Sequence, residues 1–447
     1  MVDLISALAV GGTVGATAVI AAVRRARARV RAWRSAADRM GLSEVVETPR
    51  RWLRRPTLAG RSEQLRVRLE SYRRGKYESG TRIVIDGFGP GAEALSLVRG
   101  GLGLRLLGRE DVLVGDADFD QELHVQGPAL LALALLPAAT RLRARRLLSG
   151  EVQVPGPKGE PIKVSAQLDK GGLEVRFQDR LLNDSSEELF QVLRSAVALA
   201  QRLVVPDDLA GQIADNLPHE PEAGVRLNSL LTLARELPDH PDTRRALLAA
   251  LKDKSDEVRL RAAMALGEEG HATLRALLAN VAADDACAAA ALRALGDRLP
   301  SGKVKNVLER VLKTDRKRTA QACLETLGGR GHPGARHLYI EALRYPDLAV
   351  MIAAARALGQ VGTAADVAVL RQEAETWLPT QLRGAARQAI AEIQSRLSGA
   401  GPGQLTLAAG EAGALSLAGQ TGRLSLEPEA KGEPEDWPGA AEKLPES

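Results

Sequence analysis

Three aspartates at alternate positions have side chains and a spacing that could bind a calcium ion. Asp116, Asp118 and Asp120 have the spacing of the first three ligands of an EF-hand calcium loop. Such a loop needs a glycine at its sixth position and a glutamate at its twelfth, and these positions hold Gln121 and Gly127. The calcium pattern therefore fails, and we expect a turn that caps a strand.

A glycine-rich segment, residues 87–91, follows an apolar strand and could resemble a phosphate-binding loop. It lacks both the GxGxxG pattern and the GKS or GKT pattern, and the sequence after it is typical of a strand rather than a helix. A phosphate loop delivers its ligand to the N-terminus of a helix, so this segment is better explained as a turn.

Cysteine and histidine usage gives no catalytic or metal-binding pattern. Cys287 and Cys323 are separated by 36 positions, without a CxxC motif, so we expect small buried residues. His332 and His337 flank a glycine-rich loop and are interpreted as polar loop residues. Since no nucleophile, base and metal ligand recur at useful spacing, the sequence predicts no enzyme activity, no cofactor and no evident small-molecule substrate.

The N-terminus predicts a membrane anchor. Residues 4–23 carry no charge, and a helix of that length spans about 30 Å. An interfacial or soluble helix is one alternative, and a cleaved signal peptide is another, although a signal peptide carries its positive charge before the apolar run. The arginines follow that run, which predicts a single-pass protein of the bacterial inner membrane with the later domains in the cytoplasm.

A basic segment follows, because residues 24–76 hold 16 arginines and one lysine against five acidic residues. We expect its first part to contact anionic lipids and to set the topology. Two alternatives are an arm that binds nucleic acid, which is disfavoured because few aromatic residues lie nearby, and a solvated helix face. The predicted lipid contacts are Arg24, Arg25, Arg27, Arg29, Arg31 and Arg34.

Residues 79–205 are predicted to form a small α+β domain. Alternating apolar segments at 81–85, 95–98, 102–106, 123–126, 162–168 and 173–177 are typical of strands. Helices are expected at 129–148 and 185–204. The segment 114–120, with a GDxxFD pattern, resembles a stretch of uncharacterised membrane-linked proteins of some Gram-negative bacteria, which implies no activity.

Self-similar segments between residues 218 and 397 are the strongest signal in the chain. Each of four segments opens with aspartate and closes with Leu-Gly, and the closing glycines are 29, 32 and 31 residues apart. An aspartate can cap the start of a helix, and a glycine can end one in the left-handed conformation. The residues that define the repeats are Asp256, Gly267, Asp285, Gly296, Asp315, Gly328, Asp347 and Gly359.

This pattern, of the form D..vR..Aa.aLg, resembles the short HEAT-like repeats of the phycobilisome-lyase type over residues 226–397. The resemblance implies an α-solenoid of five or six helix pairs that binds a protein partner. An enzyme or enzyme-maturation factor of the HEAT-repeat lyase type is the alternative. HEAT-repeat hydroxylases bind iron through repeated His-Glu pairs, of which His219-Glu220 is the only one here.

The C-terminal residues 398–447 are rich in glycine, proline and glutamate, and we expect them to be disordered. A G-x-L-[S/T]-L motif begins at Gly403, Gly413 and Gly422. These motifs could add short strands to the sheet of a partner, or they could be neutral low-complexity sequence.

The sequence as a whole predicts a multidomain, membrane-anchored scaffold or adaptor whose solenoid binds another protein. The fold class comprises an N-terminal transmembrane helix, a small α+β domain, an all-α HEAT-like solenoid and a disordered tail. The predicted boundaries are 1–23 for the signal-anchor, 24–78 for the juxtamembrane segment, 79–205 for the α+β domain, 218–397 for the solenoid and 398–447 for the tail.

Overall fold

The computed structural model describes residues 24, 27–48, 56–74, 78–100, 111–152, 162–177, 185–375, 380–396, 405–407 and 415–417. The chain divides into two compact units, Met1–Ala294 and Leu295–Ser447. The first unit contains an antiparallel sheet and the first helices of the repeat region, and the second contains the later repeat helices.

The sheet of the first unit has nine strands. Its main path runs β1-β2-β3-β4-β9-β8-β5-β6, and β7 pairs with β8 off this path. All of these pairs are antiparallel. The strands are β1 Ser43–Thr48, β2 Thr57–Ser62, β3 Leu65–Arg74, β4 Glu78–Asp86, β5 Ser96–Arg99, β6 Leu123–Gln126, β7 Glu151–Val152, β8 Ile162–Asp169 and β9 Gly172–Phe177.

Alternation along the strands explains why one face of the sheet is apolar. Leu65, Val67 and Leu69 on β3 are at most 1% exposed, while the arginines between them are exposed. Successive side chains of a strand point to opposite faces, so the polar residues face solvent. Helix α1, residues 27–39, is anchored to the sheet by Trp33, whose indole nitrogen donates a hydrogen bond of 3.0 Å to the hydroxyl of Thr81.

The predicted fold class is wrong in its N-terminal half. The sheet begins at Ser43, within the segment expected to be juxtamembrane, because a strand with one solvated face tolerates an arginine at every second position. Within the described ranges, no helix is both long and apolar enough to cross a membrane. The predicted anchor, 1–23, lies outside these ranges. Because no described helix could cross a membrane, the predicted single-pass inner-membrane localisation is wrong.

Helices of the first unit form one hydrophobic core with the sheet. The core cluster extends from Trp33 through the sheet strands to Val258 and Ala262. The helices are α2 Ala117–Glu122, α3 Ala129–Leu135, α4 Ala138–Leu148, α5 Ser185–Ala200, α6 Leu209–Asn216, α7 Ala223–Glu236, α8 Pro241–Ala250, α9 Asp256–Ala265 and α10 His271–Ala279. Helices α4 and α5 pack on strands, and α3 packs on α6 and α7. The sheet and the start of the repeat region are therefore continuous.

The second unit is a two-layered array of helices. Helices α13, α15 and α17 pack side by side, and α12, α14 and α16 each pack against the next helix of that row. The bounds are α12 Ser301–Val311, α13 Lys317–Gly329, α14 Arg336–Ala342, α15 Leu348–Val361, α16 Ala364–Glu375 and α17 Thr380–Arg396, and α11 Asp285–Leu295 ends at the boundary between the units. This layering is that of an α-solenoid.

Two of the three tail motifs are described. Strands β10 Leu405–Leu407 and β11 Leu415–Leu417 pair with each other in antiparallel register. The third motif, at 422–426, and the acidic end of the chain lie outside the described residues, as does the predicted strand 102–106. Apart from β10 and β11, the tail that was predicted to be disordered lies outside the described residues.

Candidate protein-binding groove

The aspartates that define the repeats have different roles. Asp347 is the N-cap of α15, and its carboxylate accepts hydrogen bonds from the amides of Ala349 at 3.0 Å and Val350 at 3.2 Å. Asp256 instead accepts a hydrogen bond of 2.6 Å from the amide of Asp284 in the next repeat. This bond joins two adjacent repeats rather than capping one helix.

The other two predicted caps are displaced by one residue. Asp284, rather than Asp285, accepts a hydrogen bond of 2.9 Å from the amide of Cys287 in the first turn of α11. Asp315 precedes Arg316, which is the N-cap residue of α13. A cap depends on backbone geometry at one position, which a sequence pattern locates only to within a residue or two.

The four closing glycines divide into two kinds. Gly267 has a φ of 60° and Gly296 has a φ of 48°, so both end helices in the left-handed region, as expected. Gly328 and Gly359 lie inside α13 and α15. A Cβ on Gly328 would stand 2.8 Å from the Cβ of Ala357, so this glycine permits close approach of two helices.

The predicted lipid-contact arginines lie on or beside α1. Arg24, Arg27, Arg31 and Arg34 are exposed and Arg29 is half-buried, whereas Arg25 lies outside the described residues. The opposite side of α1 is buried against the sheet. An ion pair of 3.0 Å joins the Arg34 guanidinium to the carboxylate of a β1 residue, Glu47. This placement fits the alternative of a solvated helix face.

Two carboxylates of the acidic segment 114–120 accept hydrogen bonds from protein groups. The Asp116 carboxylate accepts hydrogen bonds from the amide of Phe119 at 3.2 Å and from Arg141 at 2.8 Å. Burial by itself raises the pKa of Asp116, but these hydrogen bonds outweigh burial and hold its pKa below the usual value. The Asp120 carboxylate accepts the amides of Val114 and Gly115, yet burial raises its pKa. The segment folds on itself as a loop that starts α2.

A buried ion pair joins α4 to the segment before α7. The side chains of Arg141 and Glu220 are 2% and 3% exposed, and two hydrogen bonds of 2.8 Å link them. Arg141 also donates to the carbonyl oxygen of Leu136 at 3.0 Å. Burial lowers the pKa of Arg141, but the bonds to Glu220 and Asp116 outweigh that and raise it. Of the His219-Glu220 pair, Glu220 is thus engaged with Arg141, whereas His219 is exposed.

A second buried arginine extends this polar network. Arg226 is 4% exposed and binds both carboxylate oxygens of Asp253, at 2.7 and 2.8 Å. It also donates to the backbone carbonyls of Glu220 and Pro221 at 2.9 and 2.8 Å. Protein acceptors take four of the five N–H donors of each guanidinium group, so the network joins the sheet to the repeats.

One group of possible metal ligands occurs among the residues described: Asp208, His240 and Asp242, whose ligand atoms lie within 4.8 Å of one another. Local contacts account for all three. Asp208 caps α6, His240 accepts the amide of Asp242 at 3.3 Å, and Asp242 pairs with Arg245 at 2.8 Å. The arginine supplies the positive charge that a cation would otherwise bring.

Among the described residues of the second unit, a groove of about 480 Å³ runs along α13, α15 and α17 and can receive another molecule. Small residues make its floor, because Gly328 and Ala357 bring two of these helices together. The groove is lined by Gln321, Leu324, Glu325, Gly328, Gly329, Ala349, Ile352, Ala353, Arg356, Ala357, Gln360, Gln388 and Glu392. Neither the groove nor its lining set was predicted from the sequence.

Polar side chains at the groove are largely held by one another. Gln360 and Gln388 donate hydrogen bonds of 3.1 and 3.0 Å to Glu392, and Gln321 donates one of 2.8 Å to Glu325. Arg356 differs, because it is exposed and no carboxylate in the described part of the chain pairs with it. The groove therefore offers one cation that no described carboxylate pairs with, beside a floor of small residues and two carboxylates held by glutamines.

A family model for HEAT repeats matches residues 304–391. These residues form HEAT repeats. The groove lies almost wholly within the match, since of its lining residues only Glu392 falls outside. The predicted HEAT-like region is confirmed by the match and by the helical C-terminal region, whereas the resemblance of the N-terminal region to membrane-linked proteins is unconfirmed. No curated protein matches the chain.

HEAT repeats stack into extended surfaces that commonly bind other proteins. Their presence here gives the chain a protein-interaction or scaffold role, in agreement with the sequence prediction at that level. The signal that found the repeats was their period of about 30 residues. The same signal carries no information on which side chains face a partner, because period reports packing within the array.

Proposed function

We propose that the chain is a scaffold whose HEAT repeats bind a segment of a protein partner in the groove along α13, α15 and α17. The observation that carries this proposal is the groove itself, about 480 Å³ in volume and lined by residues of three successive repeats. A solenoid presents such a surface because each helix of the row contributes the same face.

The chemistry of the groove favours a short segment with one acidic and one aliphatic side chain. Arg356 is exposed and unpaired among the described residues, so a partner carboxylate can bind its guanidinium in a bidentate manner. Ile352, one helical turn before it, is half-buried and lines the same groove. An aliphatic side chain of the partner would cover Ile352 and be removed from water.

The proposal includes binding without catalysis. The titratable groups at the groove are Glu325, Arg356 and Glu392, and two of them already accept hydrogen bonds from glutamine side chains. A catalytic site needs a base or nucleophile within reach of an activating group. The lining residues instead offer shape, one cation, two carboxylates and amide groups, which suit recognition.

Site-directed photocrosslinking tests this role. A photoreactive residue at Gln360 lies in the groove, whereas the same residue at Arg383 lies on an exposed position of α17 outside the lining set. We expect a discrete crosslinked product at position 360 and none at position 383. Equal products at both positions, or none at 360 in cells that make the protein at normal levels, would contradict the proposal.

A further inference from the structure

Four arginines on helix α4 fall into two classes. Arg141 and Arg145 each bind carboxylates, the first in the buried network and the second at Glu122. Arg143 and Arg146 are exposed, and no carboxylate of the described ranges pairs with either of them. Two positive charges of the helix are therefore paired with carboxylates, and the other two are exposed without such a pair among the described residues.

The two unbalanced arginines line a cleft between α4, α5 and β7. The cleft has a volume of about 750 Å³ and contains a third arginine, Arg194 of α5. Its lining residues are Arg143, Arg146, Leu147, Ser149, Val152, Arg194, Ser195 and Ala198. No acidic residue belongs to this set, so the cleft concentrates three positive charges on an uncharged wall.

Both hydroxyls in the cleft are turned to their own helices. Ser149 donates to the carbonyl oxygen of Arg146 at 3.2 Å, and Ser195 donates to that of Gln191 at 2.8 Å. Arg194 lies 5.9 Å from the ring of Phe190, a distant cation–π contact that does not neutralise its charge. The free donors of the cleft are therefore guanidinium groups.

The base of the cleft is apolar. Leu147 is 2% exposed and Val152 is 5% exposed, and both belong to the hydrophobic core. A bare inorganic anion would contact the arginines and leave most of the volume to water, since the cleft is in the size range of pockets for small organic ligands. A ligand that fits has an anionic head and a body that covers the apolar base.

We propose that this cleft binds a phosphate monoester, with the phosphate held by Arg143, Arg146 and Arg194 and the ester group lying over Leu147 and Val152. Arginine is suited to phosphate because its planar guanidinium presents paired donors to two oxygens at once. A dianionic phosphate offsets more of the three positive charges than a single carboxylate does. The site goes beyond the groove and does not depend on it.

The ester can belong to a free metabolite or to a phosphorylated side chain of a protein, and the two sources share the same chemistry. Calorimetric titration of the full chain with phenyl phosphate, inorganic phosphate, a phosphoserine peptide and its unphosphorylated form separates them. We expect a phosphate monoester to bind about tenfold more tightly than inorganic phosphate. Tighter binding of phenyl phosphate indicates a free ester, and tighter binding of the phosphopeptide indicates a protein source.

Variants locate the binding in the cleft. The change of Arg146 and Arg194 to alanine is expected to weaken monoester binding about tenfold or more, and Arg146→Lys is expected to retain part of it because charge remains without the paired donors. Arg275→Ala is the matched control, since Arg275 is exposed on α10 and outside the cleft. Circular dichroism verifies that each variant is folded.

Two results would overturn the site. One is an absence of saturable binding for both monoesters, and the other is undiminished binding by the Arg146→Ala, Arg194→Ala variant. Binding of inorganic phosphate as tight as that of the tighter-binding monoester would also contradict the proposal, because the apolar base would then have no part in recognition.

Discussion

Two hydrogen bonds of 2.8 Å join the guanidinium of Arg141 to the carboxylate of Glu220, although 79 positions separate these residues in the chain. Arg141 belongs to a helix that packs on the sheet, and Glu220 precedes the first long helix of the repeat region. The pair is almost fully buried. It therefore fixes the start of the solenoid to the sheet.

Removal of one partner from this pair should be strongly destabilising. We expect Glu220→Ala to lower the free energy of unfolding by about 3–5 kcal/mol, because the guanidinium of Arg141 stays buried without its main counter-charge. Urea titration of the full chain, followed by circular dichroism, measures the loss. Glu122→Ala is the control, since its exposed pair with Arg145 should contribute less than about 1 kcal/mol. Equal losses in the two variants would contradict this role.

Acid should weaken the second unit through Asp366. This carboxylate is fully buried and accepts hydrogen bonds of 2.6 Å from Arg336. Burial raises the pKa of Asp366, but the bonds from Arg336 and from the amide of Thr363 outweigh it, so the pKa lies below its usual value. When the pKa is lower in the folded protein, the ionised carboxylate adds stability at pH values above its pKa in the unfolded chain. This stability is lost as the pH falls through the pKa of the folded protein.

The corresponding experiment compares wild type with Asp366→Asn from pH 7 to pH 3. Wild type should be the more stable by about 1.5–3 kcal/mol at pH 7, the usual contribution of hydrogen bonds to a charged group. The difference should shrink only below about pH 3.8, where the unfolded carboxylate takes up a proton first. A difference that disappears near pH 6 would show that another group is responsible.

Adjacent glycines in α13 should respond in opposite directions to alanine. At Gly328 the new Cβ would stand 2.8 Å from the Cβ of Ala357, so we expect a loss of about 1–3 kcal/mol from overpacking. At Gly329 nothing lies within 4 Å of the new Cβ, and alanine should stabilise by up to about 1 kcal/mol. Thermal unfolding of both variants gives the comparison, and a loss at both positions would contradict it.

The thiol of Cys287 should be unreactive in the folded protein. Cys287 is 3% exposed, and its thiol donates to the carboxylate of Glu257 at 3.2 Å. Burial, followed by this carboxylate and that of Asp284, raises the pKa of the thiol well above its usual value. In a Cys323→Ala variant, labelling by a disulfide reagent at pH 8 should be negligible before urea is added and complete afterwards. Rapid labelling of the folded variant would contradict the buried placement.

Local pattern was sufficient to predict much of the secondary structure. The segment 123–126 coincides with β6, and α9 and α11 begin within one residue of the starts that the repeat pattern predicts. Such features depend on alternation, helical period and capping, which are all encoded within a few residues. The repeat period of about 30 residues likewise predicted the HEAT repeats that match residues 304–391.

The prediction of a juxtamembrane segment at 24–78 is wrong for a physical reason. Arg66 and Arg68 alternate with buried aliphatic residues on β3, so this strand is as basic as a juxtamembrane segment. An antiparallel sheet with one solvated face accepts arginine at every exposed position. The three strands β1, β2 and β3 were therefore missed, and a juxtamembrane segment was predicted in their place.

The groove and the buried pair depend on contacts between distant residues. The distance of Gly328 from Ala357 is set by the packing of two helices, and the pairing of Arg141 with Glu220 is set by the docking of α4 near α7. A periodic pattern does not predict such contacts, because each of these residues fits its own helix or loop whether or not the distant partner is present. Arg356 stands out only once its neighbours are known.

The affinity of the purified partner for groove variants shows whether the groove is its binding site. The partner identified by crosslinking is purified on its own and titrated by calorimetry into the wild-type chain, the Arg356→Glu variant and the Arg383→Glu variant. Both arginines are exposed on neighbouring helices of one row, and Arg383 lies outside the lining set. We predict a loss of about tenfold or more for Arg356→Glu and less than about twofold for Arg383→Glu. Equal affinities for wild type and Arg356→Glu would show that the partner does not bind in this groove.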